Sequence, residues 1–397
     1  MGATRYFPIE EYEHRWQRVH DEMARRGYDA AVVWSRSGGG YERSGDVLYL
    51  ANFYSQASGQ GWDTPVFNAR SFSAVILQRG QVPELQADEA WPRKDLVATD
   101  RIAWHHDPIK GVAQSLNERG ITGRVAFVGG QVLPVKYARE LEAMTPRIDW
   151  EFEDELVLAV RRIKSRRELD CMREAGEIMT RALTRYMEGL IACEREADAA
   201  AAAVSIVVAA GGAIHMAPCN HGDMIQYWVR DPIVGHSQEA PRPGDLVRCW
   251  LYGPIREGYW LDPGRTAVAG GRPSAAQREL VEANARLVDR LIDAIRPGKS
   301  FMEVAALGDR LMAEFGGTKD QAAEKWPHFG HSIGLFIETP YIGATMCSES
   351  DRFHANMAIG VEAFASREGV GSAGLEKNFI VGENGNEVLD RIPTIWW

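Results

Sequence analysis

Residues 258–266 read Gly258-Tyr259-Trp260-Leu261-Asp262-Pro263-Gly264-Arg265-Thr266, and they surround one carboxylate, that of Asp262, with aromatic, aliphatic and glycine residues. A charged side chain is unfavourable in such surroundings unless it is paired or binds a metal ion. A single residue of this kind is more often structural or solvated. Three later stretches have the same character, and they contain His331 (residues 329–334), Glu362 (residues 357–364) and Glu376 (residues 374–381). Together the four stretches indicate a candidate site in the C-terminal half.

The composition argues against several classes of function. The chain has 45 basic and 55 acidic residues and no long run of either sign, so a nucleic-acid partner is not expected. The five cysteines are widely separated and show no CxxC spacing, which predicts reduced thiols rather than disulfides or a thiolate zinc site. The N-terminal residues show no signal-like apolar region, and no later stretch is apolar enough to span a membrane. We therefore expect a cytoplasmic protein without a membrane partner.

The length of 397 residues favours two domains, and a change of composition places the boundary near residue 155. Apolar residues recur every three or four positions from Ile9 to Met23, and Gly27 follows where a left-handed residue would end a helix. The glycine-rich runs do not join a strand to a helix with phosphate-loop spacing, so a nucleotide site is not expected. The first part is predicted to be an α/β domain, with strands at residues 28–34, 71–77 and 124–128 and a helix at residues 108–119.

The second part alternates helices with strands. A long amphipathic helix is predicted after Ser165, because apolar residues recur there on one face. This order of elements predicts an α+β domain with an antiparallel type of sheet. Further helices are predicted at residues 197–209, 274–295 and 301–315, and strands at residues 246–252, 357–364 and 376–382.

The order and spacing of these stretches resemble the pita-bread family, which includes methionine aminopeptidase, prolidase, aminopeptidase P and creatinase. The resemblance extends from about residue 155 to residue 390, and the sequence of residues 330–334 is most similar to that of creatinase. It implies an α/β N-terminal domain over residues 1–155 and an α+β pita-bread domain with a curved, mainly antiparallel sheet over residues 156–397. The matching motifs are Arg162-Ile163-Lys164-Ser165, Gly244-Asp245, Gly258-Tyr259 with Asp262 and Arg265-Thr266, and Gly330-His331.

The resemblance also implies a ligand set. The dinuclear site of the family uses five side chains, and four of them carry over to Asp262, His331, Glu362 and Glu376. The fifth, an aspartate, would fall at Trp250 or Leu251, and neither of these can bind a metal. Because that aspartate serves only one of the two metals, its loss would remove the second site and would still allow the first.

Two interpretations of this set stay open. In one, the four side chains hold one divalent ion, for which Mn, Fe, Co or Zn is suitable, and the ion activates water. In the other, no metal binds, as in creatinase-type relatives, and His331 acts as general acid and base. In that case Glu362 or Glu376 binds a cationic part of the substrate or orients the water.

Several residues are candidates for substrate binding. In the peptidases a second histidine follows seven residues after the Gly-His pair, whereas here Glu338 stands at that place, where it would pair with a cationic substrate group or with a basic side chain. His236 is a candidate proton shuttle or substrate ligand, although it lies closer to Gly244-Asp245 than the family histidine does and would otherwise be a surface residue. Tyr227 and Trp228 are expected to form a pocket wall or to pack in the core.

The resemblance implies a homodimer in which the N-terminal domain of one subunit helps to close the pocket of the other. Phe53 and Tyr54 occupy the region that would do this. Twelve tryptophans are many for this length, and several lie in predicted loops or at strand edges. They would form an aromatic box for a cationic or ring-shaped substrate, or simply pack. These tryptophans are Trp62, Trp91, Trp104 and Trp228.

These observations favour a hydrolase that cleaves a C–N bond in a small, non-peptide metabolite of cationic or cyclic type. The family that the chain resembles also includes an ectoine hydrolase, which acts on such a metabolite, and a lyase that cleaves dimethylsulfoniopropionate, so elimination is an alternative. The missing aspartate and Glu338 argue against a Xaa-Pro type metallopeptidase, which is a further alternative. A catalytically inactive module that binds protein is the alternative from another class, but such a module does not need four costly buried groups.

Overall fold

A computed structural model of the chain describes residues 5–36, 45–54, 72–225, 235–314 and 328–397. The chain forms two compact units, Met1–Arg161 and Arg162–Trp397. The boundary predicted near residue 155 falls at the start of a helix, Glu155–Arg161, that belongs to the first unit. The boundary between the two units therefore lies after this helix.

The first unit contains a mixed sheet, which confirms the predicted α/β character. Six strands lie in the order β4-β3-β2-β1-β5-β6 within the described residues, with β1 antiparallel to β2 and parallel to β5. Six of the seven residues of the central strand β1 are buried, as its apolar sequence predicts. The strands are β1 (Ala30–Arg36), β2 (Phe72–Gln78), β3 (Glu84–Ala87), β4 (Ile102–Trp104), β5 (Gly123–Val128) and β6 (Ile148–Phe152).

Helices pack on this sheet and bury their apolar faces. The first helix ends where the sequence predicts, because Gly27 has a φ of +79° and its N–H donates to the carbonyl of Ala24. Side chains such as Ile109 and Leu141 pack against the strands in one apolar cluster. The helices are α1 (Ile9–Arg26), α2 (Gly45–Ala51), α3 (Pro108–Glu118), α4 (Val135–Met144) and α5 (Glu155–Arg161).

The second unit contains the predicted antiparallel sheet. Its strands follow the order β13-β12-β14-β15-β11-β8-β7, β16 pairs with β15, and β9 and β10 form a separate hairpin. The strand predicted at residues 376–382 begins five residues earlier, because it pairs along its whole length with β14. The strands are β7 (Cys219–His221), β8 (Leu246–Trp250), β9 (Gly253–Arg256), β10 (Tyr259–Leu261), β11 (Gly264–Val268), β12 (Gly330–Ile333), β13 (Ile337–Tyr341), β14 (Ala358–Arg367), β15 (Gly371–Ile380) and β16 (Glu387–Val388).

Four helices complete the described part of the second unit. The predicted long helix begins after Ser165, whose side chain forms a reciprocal capping box with Glu168. No helix in the described ranges is long and apolar enough to cross a membrane. The helices are α6 (Arg166–Ile191), α7 (Glu196–Ala209), α8 (Ala275–Ala294) and α9 (Phe301–Glu314).

The side chains of β14 and β15 alternate between an apolar core, covered by helices, and the opposite face of the sheet. Ile359 and Val361 of β14 and Leu375 and Phe379 of β15 pack in one apolar cluster with side chains of α8 and α9. Because side chains alternate along a strand, the even-numbered residues of these two strands point to the opposite face of the sheet. Glu362 and Glu376 are among these residues.

Candidate metal centre

Two of the predicted acidic residues lie directly opposite each other on neighbouring strands. The register of β14 and β15 pairs Glu362 with Glu376, and each is only 2% exposed. Like charges at such a cross-strand pair are destabilising, and more so when they are buried. This face of the sheet therefore requires a compensating positive charge or a proton.

His331 and Asp262 complete the cluster. Nε2 of His331, on β12, lies 3.4 Å from Oδ2 of Asp262, in the connection between β10 and β11. The same nitrogen lies 3.8 Å from Oε1 of Glu376 and 3.9 Å from Oε1 of Glu362. The four stretches singled out in the sequence are thus brought to one buried point.

Gly330 allows this approach. It has a φ of +132°, and a Cβ there would lie 2.0 Å from the carbonyl oxygen of Gly360 on the neighbouring β14. Only glycine fits both the conformation and the close contact. The glycine of the Gly-His pair therefore brings β12, and with it His331, against the acidic strands.

The hydrogen bond on the far side of the imidazole fixes its tautomer. Nδ1 of His331 lies 3.2 Å from the carbonyl oxygen of Ser332, which can only accept, so Nδ1 carries the hydrogen. In the neutral ring this leaves the lone pair of Nε2 directed at three carboxylates. Such an arrangement is unfavourable without a cation between them, and it is the orientation in which histidine binds metals.

The cluster fits a divalent cation. Burial raises the pKa of Glu376 well above its usual range, and the neighbouring carboxylates of Asp262 and Glu362 raise it further. Among the described residues, Oε1 of Glu376 is a buried atom that has no hydrogen-bond partner. Asp262, His331 and Glu376 each offer one ligand atom within 4.8 Å of the others. Carboxylate and imidazole donors suit Mn, Fe, Co or Zn.

A second layer of buried polar groups holds Asp262 in place. Nδ2 of Asn378 donates to Oδ1 of Asp262 at 2.7 Å, and the backbone N–H of Asp262 donates to Oδ1 of Asn378 at 2.8 Å. Asp390 accepts a bond from the backbone N–H of Asn378 and pairs with Arg265, and both side chains of this ion pair are fully buried. The carboxylate of Asp262 is thus oriented by a chain of fixed partners.

We expect the variant Asn378→Ala to bind a divalent cation about tenfold to a hundredfold more weakly, because loss of a partner that orients a ligand has effects of this size. Titration with Mn²⁺ measures this change. The matched control is Asn386→Ala, since Asn386 is a partly buried amide that donates to the carbonyls of Ile292 and Ile295 away from the cluster. Equal affinities in the two variants would show that Asn378 does not position Asp262.

The sequence reasoning missed His328 and Tyr341. The rings of His328 and His331 both contact Tyr341, and Nδ1 of His328 lies 3.4 Å from Oε1 of Glu362. Burial and the neighbouring His331 lower the pKa of His328 to about 3, so its ring is neutral. Nδ1 accepts a bond from the N–H of Gly330 and therefore approaches Glu362 as an acceptor rather than as a cation.

Asn378 was also missed, although a signal for it exists. It lies two residues after Glu376 in the same strand, so its side chain shares the face of the cluster. The position of His328, three residues before His331 and outside β12, gives no comparable signal.

The structure gives Glu338 internal partners. It is 3% exposed, its Oε2 lies 3.4 Å from Nζ of Lys164, and its Oε1 accepts a bond from the N–H of Leu335. This matches the alternative in which a basic side chain of the protein, rather than a substrate, pairs with Glu338. The carboxylate stabilises the turn between β12 and β13.

The other predicted binding residues are not joined to the cluster by the contacts described above. His236 is partly buried, and burial lowers its pKa. Phe53 is buried and Tyr54 partly buried in the first unit, while Trp91 and Trp104 of that unit are exposed. Tyr227, Trp228 and Trp62 lie outside the described residues. The roles proposed for these residues stay predictions.

Comparison with known proteins places this arrangement in a family. A model of metallopeptidase family M24 matches residues 170–383. The probable dipeptidase PepE of Mycobacterium tuberculosis is 30% identical over 240 residues, which are 59% of this chain and 60% of that protein. The Xaa-Pro dipeptidase of Pyrococcus horikoshii is 25% identical over 266 residues, which are 65% of this chain and 71% of that protein.

A solved structure shows the same fold. The crystal structure of dipeptidase PepE from Mycobacterium ulcerans matches with a TM-score of 0.75 at 24% identity and covers 98% of both chains. The predicted fold, an α/β domain followed by a pita-bread domain, is therefore confirmed. The match to the family model spans most of the second unit and includes every member of the cluster, and it shows that the chain belongs to metallopeptidase family M24.

Proposed function

We propose that the protein is a metal-dependent hydrolase that cleaves the amide C–N bond of a small peptide. The observation that carries this proposal is the convergence of three buried carboxylates on Nε2 of His331. Asp262, His331, Glu362 and Glu376 would hold one divalent ion. When bound, such an ion supplies the positive charge that activates water and polarises a carbonyl group.

The residues of the chain have separate tasks in this reaction. Asp262 and Glu376 would hold the ion in fixed orientations, because Asn378 donates a hydrogen bond to the first and the indole of Trp250 to the second. Glu362 would accept a proton on its carboxylate when a water oxygen adds to the carbonyl carbon. The proton then passes to the leaving nitrogen as the C–N bond breaks. Burial of the cluster keeps other water out.

The choice of a peptide substrate rests on the relatives. The similar proteins are a probable dipeptidase and a Xaa-Pro dipeptidase, so the non-peptide substrate expected from the sequence receives no support from them. A dipeptide is therefore the first substrate class to test.

A specific observation favours a second candidate, cleavage of a C–N bond in a small cationic non-peptide compound. Leu251, which is buried and apolar, and Trp250 stand where the family has an aspartate ligand. In a metal-free form of this reaction His331 would act as general acid and base, and the carboxylates would bind the cationic part of the substrate.

One set of assays separates these functions. The purified chain is treated with a chelator, reloaded with Mn²⁺, Co²⁺ or Zn²⁺, and incubated with Xaa-Pro and other dipeptides, a guanidino acid, a cyclic amidine and dimethylsulfoniopropionate. We expect dipeptide hydrolysis that disappears on chelation and returns with metal. Metal-independent cleavage of the guanidino or amidine compound would support the second candidate instead. Elimination from the sulfonium compound would support a lyase. If none of these compounds reacted, an inactive binding module would be supported.

The homodimer is also retained as a proposal. It rests on the resemblance to creatinase-like proteins, in which the N-terminal domain of one subunit closes the pocket of the other. Light scattering of the purified chain would test it, and a monomeric mass would contradict it.

A further inference from the structure

Trp250, which stands at or beside the place of the missing aspartate ligand, forms a specific hydrogen bond with the cluster. The indole N–H of Trp250 donates to Oε2 of Glu376 at 2.7 Å, and both side chains are buried. The carboxylate of Glu376 thus has one oxygen bound by the protein, while Oε1 faces the rest of the cluster. A carboxylate that bridges two cations would have to direct one oxygen at each of them.

Two glycines make room for this indole. Gly264 lies opposite Trp250 in the register of β8 and β11, and a Cβ on it would lie 2.0 Å from the indole ring. A Cβ on Gly374 would lie 2.6 Å from the other edge of the ring. Contacts this short are not possible, so any other residue at either position would displace the indole.

The ring is also fixed from the side. Phe364 stacks on Trp250 with ring centroids 5.1 Å apart and an angle of 22° between the planes, and Tyr252 packs against this pair. The neighbouring Leu251 is fully buried and offers no ligand atom. The space beside Glu376 is therefore occupied by packed aromatic rings that present one hydrogen-bond donor.

We propose that Trp250 takes the place of a second metal ion, so that the site binds one divalent cation and the indole N–H orients Glu376 toward it. The inference deepens the proposed function, since it concerns the same cluster. Trp250 acts here as a positioning residue, because it contacts a ligand and not the substrate. An N–H donor keeps Oε2 occupied without adding charge, and it leaves Oε1 as the ligand atom.

The stoichiometry of metal binding tests the first half of this proposal. The full chain is freed of metal and equilibrated with Mn²⁺ without substrate, and bound Mn²⁺ is counted by mass spectrometry. We expect one tightly bound ion per chain. Two ions of comparable affinity would overturn the proposal. The double variant Trp250→Ala with Leu251→Asp is expected to take up a second ion, and a folded double variant that still binds one would contradict the assignment of Trp250 as the barrier.

The variant Trp250→Phe tests the second half, because it keeps a ring and removes the N–H. We expect its affinity for Mn²⁺ to fall about tenfold to a hundredfold while the stoichiometry stays at one. The matched control is Trp16→Phe in the first unit, since the indole N–H of Trp16 donates a buried bond of the same 2.7 Å length to the carbonyl of Leu50. Equal affinities in the two variants would overturn the orienting role.

Fluorescence adds a readout that a purely structural role would not change. Mn²⁺ binding should alter the emission of Trp250, so the change should be smaller in Trp250→Phe than in Trp16→Phe; an equal change in both would contradict the proposal, because Trp260 near Asp262 is present in both variants. Because these measurements use no substrate, the role proposed for Trp250 would remain valid even if the chain did not hydrolyse dipeptides. Conversely, two ions per chain would leave the proposed peptidase function standing.

Discussion

The variant His331→Ala is expected to lose the divalent cation and to show a kcat/KM for dipeptide hydrolysis lower by about a hundredfold to ten-thousandfold. The reason is the central position of Nε2, which lies within 4.0 Å of all three carboxylates. Without it, three buried acids face each other with no imidazole between them. Steady-state kinetics and metal analysis of the purified variant measure both effects.

The control for this variant is His354→Ala. His354 is an exposed histidine of the same unit, so its loss should leave both the metal content and kcat/KM unchanged. If His331→Ala kept its activity within about twofold of the parent, the reaction would have to take place elsewhere on the molecule.

The variant Asp390→Ala is expected to lower the free energy of unfolding of the second unit by about 3–5 kcal/mol. Asp390 and Arg265 form an ion pair in which neither side chain is exposed, so removal of the acid leaves a buried guanidinium without its counter-charge. The N–H of Asn378 would lose its acceptor at the same time. Urea unfolding of the metal-free chain, followed by circular dichroism, measures the change.

An ion pair with a half-exposed acid provides the comparison. Lys377 and Asp289 lie 2.6 Å apart, but Asp289 is 51% exposed, so Asp289→Ala should change the stability by less than about 1 kcal/mol. Similar unfolding curves for the two variants would mean that the buried pair does not hold the layer beneath the metal centre.

The sequence predicted those parts of the fold that have strong local signals. The central strand β1 is apolar from Ala30 to Trp34, and Gly27 and Ser165 mark helix ends by their own conformation or hydrogen bonds. The strands β4 and β6 were not predicted. Their residues are largely exposed or half-buried, so the apolar run that identifies an interior strand is missing.

For the site, the sequence supplied the residues but not their mutual arrangement. Asp262, His331, Glu362 and Glu376 stood out because each is polar in apolar surroundings. That Glu362 and Glu376 lie directly opposite each other depends on the register of β14 and β15, which no single residue shows. The pairing of Glu338 with Lys164 joins positions that are far apart in sequence, and no local pattern could indicate it.

Trp250 shows why a missing ligand is harder to interpret than a present one. In the sequence, tryptophan and leucine at this place mean only that a ligand is absent. The hydrogen bond from Trp250 to Glu376 and the space left by Gly264 become evident only when the strands are placed side by side. Trp250 and the residues packed around it thus take the place of the missing aspartate.

Diffraction at the manganese absorption edge, from crystals grown with Mn²⁺, tests the central claim most directly. That claim is that the three buried acids and His331 together bind one ion. We predict a single anomalous peak bounded by Nε2 of His331 and by carboxylate oxygens of Asp262, Glu362 and Glu376. Crystals that contain Mn²⁺ but show no peak among these four side chains would contradict it.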